Sequence, residues 1–175
     1  MDLKEYIRSI PDYPKKGILF RDITTLIKNE KAFTYCIDQI VEKSKQFNFN
    51  KIAAVESRGF VFASAFSYIL KKPFILLRKK NKLPAETYSV DFELEYGTAT
   101  IEMHKDSINT KDSVLVIDDL IATGGTAEAA AKLIKISEGK VTGFIFVINL
   151  FDLGGCDKLI KQEYKVENLI NFPGH

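Results

Sequence analysis

Two adjacent carboxylates, Asp118 and Asp119, run into a short loop holding Ala122, Thr123, Gly124, Gly125 and Thr126. Glycines let a backbone approach a ligand closely. Free N–H groups at a helix start, together with two threonine hydroxyls, offer donors to an anion. Carboxylates beside such a cradle repel a phosphate. They make sense against sugar hydroxyls, a developing positive charge or a metal, or else as solvated acids on a tight turn. The loop lacks the lysine of G-x-x-x-x-G-K-[ST] and the spacing of G-x-G-x-x-G, which excludes a nucleoside-triphosphate loop and a dinucleotide fingerprint.

The elements around this loop are legible from hydrophobic pattern. The run Val114 to Ile117 has no polar alternation, as in a strand buried on both faces. Ala127, Ala130, Ala131 and Ile134 repeat at helical spacing after it, and Thr126 can cap that helix, about Thr126 to Ser137. The loop thus falls at the carboxyl end of a sheet strand, where α/β proteins bind ligands. A second strand, turn and helix follow the same logic around Glu56, Ser57, Arg58 and Gly59, an anion site or a solvated turn. A third strand, Pro73 to Leu77, empties into Arg78, Lys79, Lys80 and Lys82 at the same edge, a placement that favours an anion over a solvated face.

Elsewhere, Leu3, Ile7 and Ile10 predict a helix ended by Pro11 and Pro14. In the segment 17–27, Phe20 beside Arg21 can stack on a planar ring, or sit in a short strand as one buried Phe. Residues 31–47 read as an amphipathic core helix. From Ala85 to His104 the pattern predicts two polar ribbon strands around Glu95, Tyr96 and Gly97, with no core-like segment after them. That suits a lid, or a hairpin tip with a structural Tyr; His104 reads as exposed. Then come a buried strand over 141–150, a short helix over 157–164, and a final strand or tail over 166–172. Strands alternating with helices predict an α/β fold with a mainly parallel central sheet flanked by helices.

Composition bounds the rest. With 175 residues, the chain suits one domain over 1–175. A net charge of +2 is too small to make nucleic acid its main partner. Cys36 and Cys156 form neither a disulfide framework nor metal-ligand spacing, and read as inert thiols in a reducing compartment. The charged start has no apolar core like a signal peptide, and no apolar run is long enough for a membrane span. The expectation is a cytoplasmic protein.

The stretch VLVIDDLIATGGT resembles the phosphoribosyl-pyrophosphate motif of the type I phosphoribosyltransferases. The segments FRDI, ESRG, RKKNKLP and LEYG are similar to the adenine-using branch of that family, and the likeness runs from Ile10 to about Leu159. It implies an N-terminal hood, about 1–30, and a flexible β-ribbon lid, about 85–104. It implies transfer of the phosphoribosyl group from phosphoribosyl pyrophosphate to adenine, giving AMP and pyrophosphate in purine salvage. Phe20 would stack on adenine while the backbone of Leu19 and Arg21 bonds its edge. Ser57, Arg58 and Gly59 would hold the pyrophosphate, with Arg78, Lys79 and Lys82 supplying cations. Glu95 would donate or accept the base proton, and Tyr96 would close over the pyrophosphate. Asp118 and Asp119 would face the reacting sugar, and residues 122–126 the 5′-phosphate. Magnesium is implied, held mainly through the substrate pyrophosphate rather than by a protein metal site, and so is a homodimer. Asn149 and Cys156 depart from the family pattern, which has Glu and Arg there, and so put local or interface contacts in doubt. A transferase for another purine base stays open. So does a regulator that senses phosphoribosyl pyrophosphate, although such a protein would need a further nucleic-acid module.

Overall fold

A computed structural model of the chain describes residues 1–94 and 97–174. Lys51–Val55 form β3, which is buried beyond its first residue. It pairs in parallel with β4 (Phe74–Lys79) on one side and β7 (Ser113–Ile121) on the other. β8 (Lys140–Leu150) and β9 (Val166–Phe172) extend the parallel sheet. β5 (Thr87–Leu94) and β6 (Gly97–His104) pair antiparallel, and β6 joins the edge of β4 at Arg78 and Lys79. The resulting order is β5-β6-β4-β3-β7-β8-β9. This is the expected α/β architecture with a mostly parallel sheet.

Side chains alternate between the two faces of the sheet, and both faces are covered. Along β7, Leu115 and Ile117 pack with α2 (Glu30–Ser44) and α3 (Arg58–Leu70). Val114 and Val116 pack instead with α4 (Gly125–Ile136) and Leu159 of α5 (Gly155–Lys161). Asn29 caps α2 by accepting from the Ala32 N–H at 3.0 Å. The apolar stripe Ile37, Ile40 and Cys36 then turns that helix into the core. Burial pushes the Cys36 thiol up to about 12, and burial with Asp157 pushes Cys156 up to about 11. Among the described residues no helix is long and apolar enough to cross a membrane.

The N-terminal segment corrects the sequence reading. No helix spans Leu3 to Ile10; a single 3-10 turn, Leu3–Tyr6, leads into β1 (Arg8–Pro11). β1 pairs antiparallel with β2 (Leu19–Asp22), bringing Ile10 opposite Phe20. Leu3 and Ile7 do enter the core, so their spacing reported burial but not conformation. A short helix α1 (Thr24–Ile27) follows β2. The ribbon also differs from its polar reading, since Val90, Ile101 and Met103 are buried beneath it against α4.

Candidate active site

Parallel register places Val55 beside Leu77 and Ala54 beside Ile117. The residues following three strands therefore meet at one edge of the sheet. A cavity of about 760 Å³ opens there. Its wall takes Glu56, Ser57 and Arg58 from the turn after β3, Lys79 from the end of β4, and residues 118–127 from the end of β7 and the start of α4. Pro14 and Lys15 reach it from the N-terminal segment and Glu93 from β5.

Two helices begin at this cavity, and neither has a side-chain cap. The Phe60 N–H of α3 donates to the Ser57 carbonyl at 3.2 Å, and the N–H groups at the very start of each helix are the donors a helix offers to an anion. Thr126 does not cap α4 as the sequence suggested; it lies inside the first turn and lines the cavity. The helix is entered through Gly124 at φ +86°, a conformation costly to a residue with a Cβ. A Cβ at Gly125 would lie 2.6 Å from the Glu93 carbonyl oxygen, so the missing side chain lets the loop pack against β5. Gly59 plays a similar part: a Cβ there would stand 2.6 Å from Asp118 Oδ1. Gly59 thus packs beneath the acid rather than along the cavity wall.

The acids are held at the end of β7, not in the loop beyond it. The Asp119 N–H donates to Asp118 Oδ1 at 2.9 Å. Loss of hydration and the charge of Asp119 both raise the Asp118 carboxyl well above the ordinary carboxylate range. Burial raises Asp119 too, opposed by the charge of Arg58. Arg58 Nε lies 3.0 Å from Asp119 Oδ2, yet Oδ2 and Arg58 Nη1 are buried without an aligned hydrogen-bond partner. The pair is close in charge but unsaturated in hydrogen bonds, as suits groups awaiting a ligand.

A second cavity, about 300 Å³, adjoins the first; Arg58, Leu120 and Ala122 border both. Lys16 through Arg21 line it from the hood, with Leu150, Leu153 and Gly174. Phe20 is half-buried, with the Tyr13 ring edge-on at 5.1 Å and the Arg58 guanidinium 5.3 Å from its centroid. A largely apolar slot beside a cleft that holds Lys15, Arg58, Lys79 and two helix starts together with four carboxylates suits a planar base joined to a sugar that carries anionic groups.

The basic cluster divides. Lys79 lines the larger cavity, whereas Arg78 donates to Glu56 Oε2 at 3.1 Å and to the Lys82 carbonyl at 3.1 Å. Burial raises Glu56, but the Lys79 N–H at 3.0 Å and Arg78 outweigh it and hold that carboxyl below its usual range. Arg78 and Lys82 thus shape the wall behind Lys79. Glu95 and Tyr96 lie outside the described residues. Pro14, Lys15 and Glu93 were missed from sequence because single residues in polar segments carry no periodic signal. At the departures from the family pattern, Asn149 donates to Asn171 Oδ1 at 3.0 Å, and half-buried Cys156 packs against the α4-side core. Among the described residues no three His, Cys, Asp or Glu side chains converge as a metal cage would require.

Comparison with known proteins gives a consistent neighbourhood. The model of the phosphoribosyl transferase domain matches residues 23–172. The adenine phosphoribosyltransferase of Pelagibacter ubique is 75% identical over 175 residues, covering 100% of both chains. The crystal structure of adenine phosphoribosyltransferase from Thermoanaerobacter pseudethanolicus has a TM-score of 0.93 at 46% identity, covering 97% of this chain and 98% of that one. The Saccharomyces cerevisiae adenine phosphoribosyltransferase, solved with an imino-altritol bisphosphate and adenine, has a TM-score of 0.87 at 34% identity, covering 95% and 96%.

Proposed function

The chain belongs to the phosphoribosyl transferase domain family, and from that premise we propose that it transfers the 5-phosphoribosyl group from phosphoribosyl pyrophosphate to adenine. The products are AMP and pyrophosphate, the reaction of purine salvage. The observation that carries this reading is the pair of adjoining cavities, one largely apolar and lined by Phe20, the other bordered by two uncapped helix starts and Lys79. The chain's full-length likeness to the adenine phosphoribosyltransferase of Pelagibacter ubique supports adenine as the base.

Each group then has a task. Phe20 stacks on adenine, and the backbone of Leu19 and Arg21 reads its polar edge. Residues 122–126 take the 5′-phosphate on the α4 N-terminus. Ser57, Arg58 and Lys79 take the pyrophosphate, with Gly59 letting Asp118 approach α3, and with Arg78 and Lys82 behind Lys79. The bond from ribose C1 to the pyrophosphate oxygen breaks as the bond from C1 to the base nitrogen forms. Positive charge grows on the sugar in between, as in other glycosyl transfers. Asp118 and Asp119 stabilise that charge, and only as carboxylates. Glu95 handles the base proton and Tyr96 closes over the site. Magnesium would neutralise the pyrophosphate; Asp118, a carboxyl on the cavity wall, is suited to a shell made mostly of substrate oxygens and water.

The protein acts in the cytoplasm as a homodimer, with neither nucleic acid nor membrane as a partner. Exposed Tyr68 and Ile69 on α3, and Leu76 on β4, support association between copies. Calorimetric titration of adenine with and without phosphoribosyl pyrophosphate, followed by assay of AMP, tests the reading. Adenine should bind and AMP should appear only when both substrates are present. AMP-free mixtures would reject it.

A further inference from the structure

The hood strand and the last described residues of the chain are fastened together by one side chain. Arg21 is only 6% exposed, although it borders the smaller cavity with Leu19 and Phe20 of the same strand. Its Nη1 donates to Ser9 Oγ at 2.5 Å on β1, and its Nη2 donates to the Pro173 carbonyl at 2.9 Å. The guanidinium carbon lies 4.4 Å from the centroid of the Phe172 ring. One planar cation thus bonds along its edge in two directions and stacks on a ring, an arrangement open to arginine and closed to lysine.

The segment it grips ends at the base cavity. Gly174 lines that cavity together with Leu19, Phe20 and Leu153. Its N–H donates to Asp152 Oδ1 at 2.6 Å, a second anchor for the same segment. The fit is close: a Cβ on Gly174 would stand 2.7 Å from Leu153 Cγ and 3.0 Å from Asp152 Oδ1. Neither anchor belongs to the phosphate cradle or touches the larger cavity, whose lining includes neither Arg21 nor Asp152.

We infer that the Arg21 side chain and Asp152 are positioning residues for the base, clamping residues 172–174 so that Gly174 completes the wall of the adenine slot. This rests on the transferase reading and deepens it, since it assigns base affinity to a segment far in sequence from the hood. The wall acts on the bound base alone. Loosening it raises the concentration of adenine needed and leaves sugar-phosphate binding and the chemical step intact.

Three variants are compared with the intact chain in steady-state turnover: a chain ended at Phe172, Asp152→Ala, and Arg21→Lys. The first two leave Arg21 in place, so the test survives if Arg21→Lys fails to fold. KM for adenine should rise about tenfold, while kcat and KM for phosphoribosyl pyrophosphate stay within about twofold. An unchanged adenine KM in the shortened chain and in Asp152→Ala overturns the inference. So does a joint change of kcat and both KM values with a lower melting temperature, because that marks general damage. An intact chain that makes no AMP from adenine overturns the transferase reading itself, and the clamp's role with it.

Discussion

Loss of hydration and the adjacent Asp119 charge raise the Asp118 carboxyl above the ordinary range, and the role proposed for Asp118 needs that carboxyl ionised. The sign follows directly. A raised pKa means that the folded chain holds the proton more tightly than the unfolded chain. Ionised Asp118 therefore costs stability at every pH above the unfolded value. Asp118→Asn removes that cost and keeps an oxygen to accept from the Asp119 N–H. Turnover in Asp118→Asn should fall about 10²-fold, while the melting temperature holds or rises. In the intact enzyme, turnover should decline as pH falls through a value above the usual carboxylate range. A pH–rate profile beside a thermal melt checks both parts. At this scale the sequence revealed the acids and the glycines, because their types and spacing are unusual. It could not reveal the Arg21 bond to the Pro173 carbonyl, because that partner is 152 positions away. Nor could it show Arg78 turned onto Glu56, because a basic run looks the same whether paired or free.

Among the elements, the hood depends on a small polar joint between β1, β2 and α1. Asp22 accepts from the Thr24 N–H at 2.9 Å and from Arg8 Nε at 3.0 Å. Burial alone would raise Asp22, but these bonds outweigh it and hold the carboxyl at about 2. A lowered carboxyl contributes stability above its unfolded pKa, and loses it as pH falls through the folded value. Asp22→Asn should therefore destabilise the chain at neutral pH, and the gap to the parent should close as pH falls from about 4 toward 2. Denaturant melts over that range measure it. A gap that widened in acid would assign the joint to other groups. The hood is also where sequence and structure part. Leu3, Ile7 and Ile10 fit a helical period, yet pairing of Ile10 opposite Phe20 in a two-stranded sheet wins over that local pattern. The buried strands were plain because an unbroken apolar run allows few other fates. The ribbon was half-read, since its polar residues hid the alternate positions Val90, Ile101 and Met103 that seat it on α4.

For the whole molecule, one sheet supports two cores and gathers three strand ends at a single edge. Parallel pairing does this with little help from any one residue, and that explains why the fold was readable from alternating strands and helices. Association is a separate property, and the strand pattern carries no signal for it. Sedimentation should give the mass of two chains, and Leu76→Glu should shift it toward one, because a charge at that exposed apolar position opposes burial between copies. The central claim concerns which base enters the slot under Phe20. Initial rates of pyrophosphate release from phosphoribosyl pyrophosphate should be compared with adenine, hypoxanthine, guanine and xanthine at equal concentration. The account predicts rapid release with adenine, with AMP formed in equal amount, and at least about a hundredfold less with each 6-oxopurine. Faster release with hypoxanthine, guanine or xanthine than with adenine would contradict it.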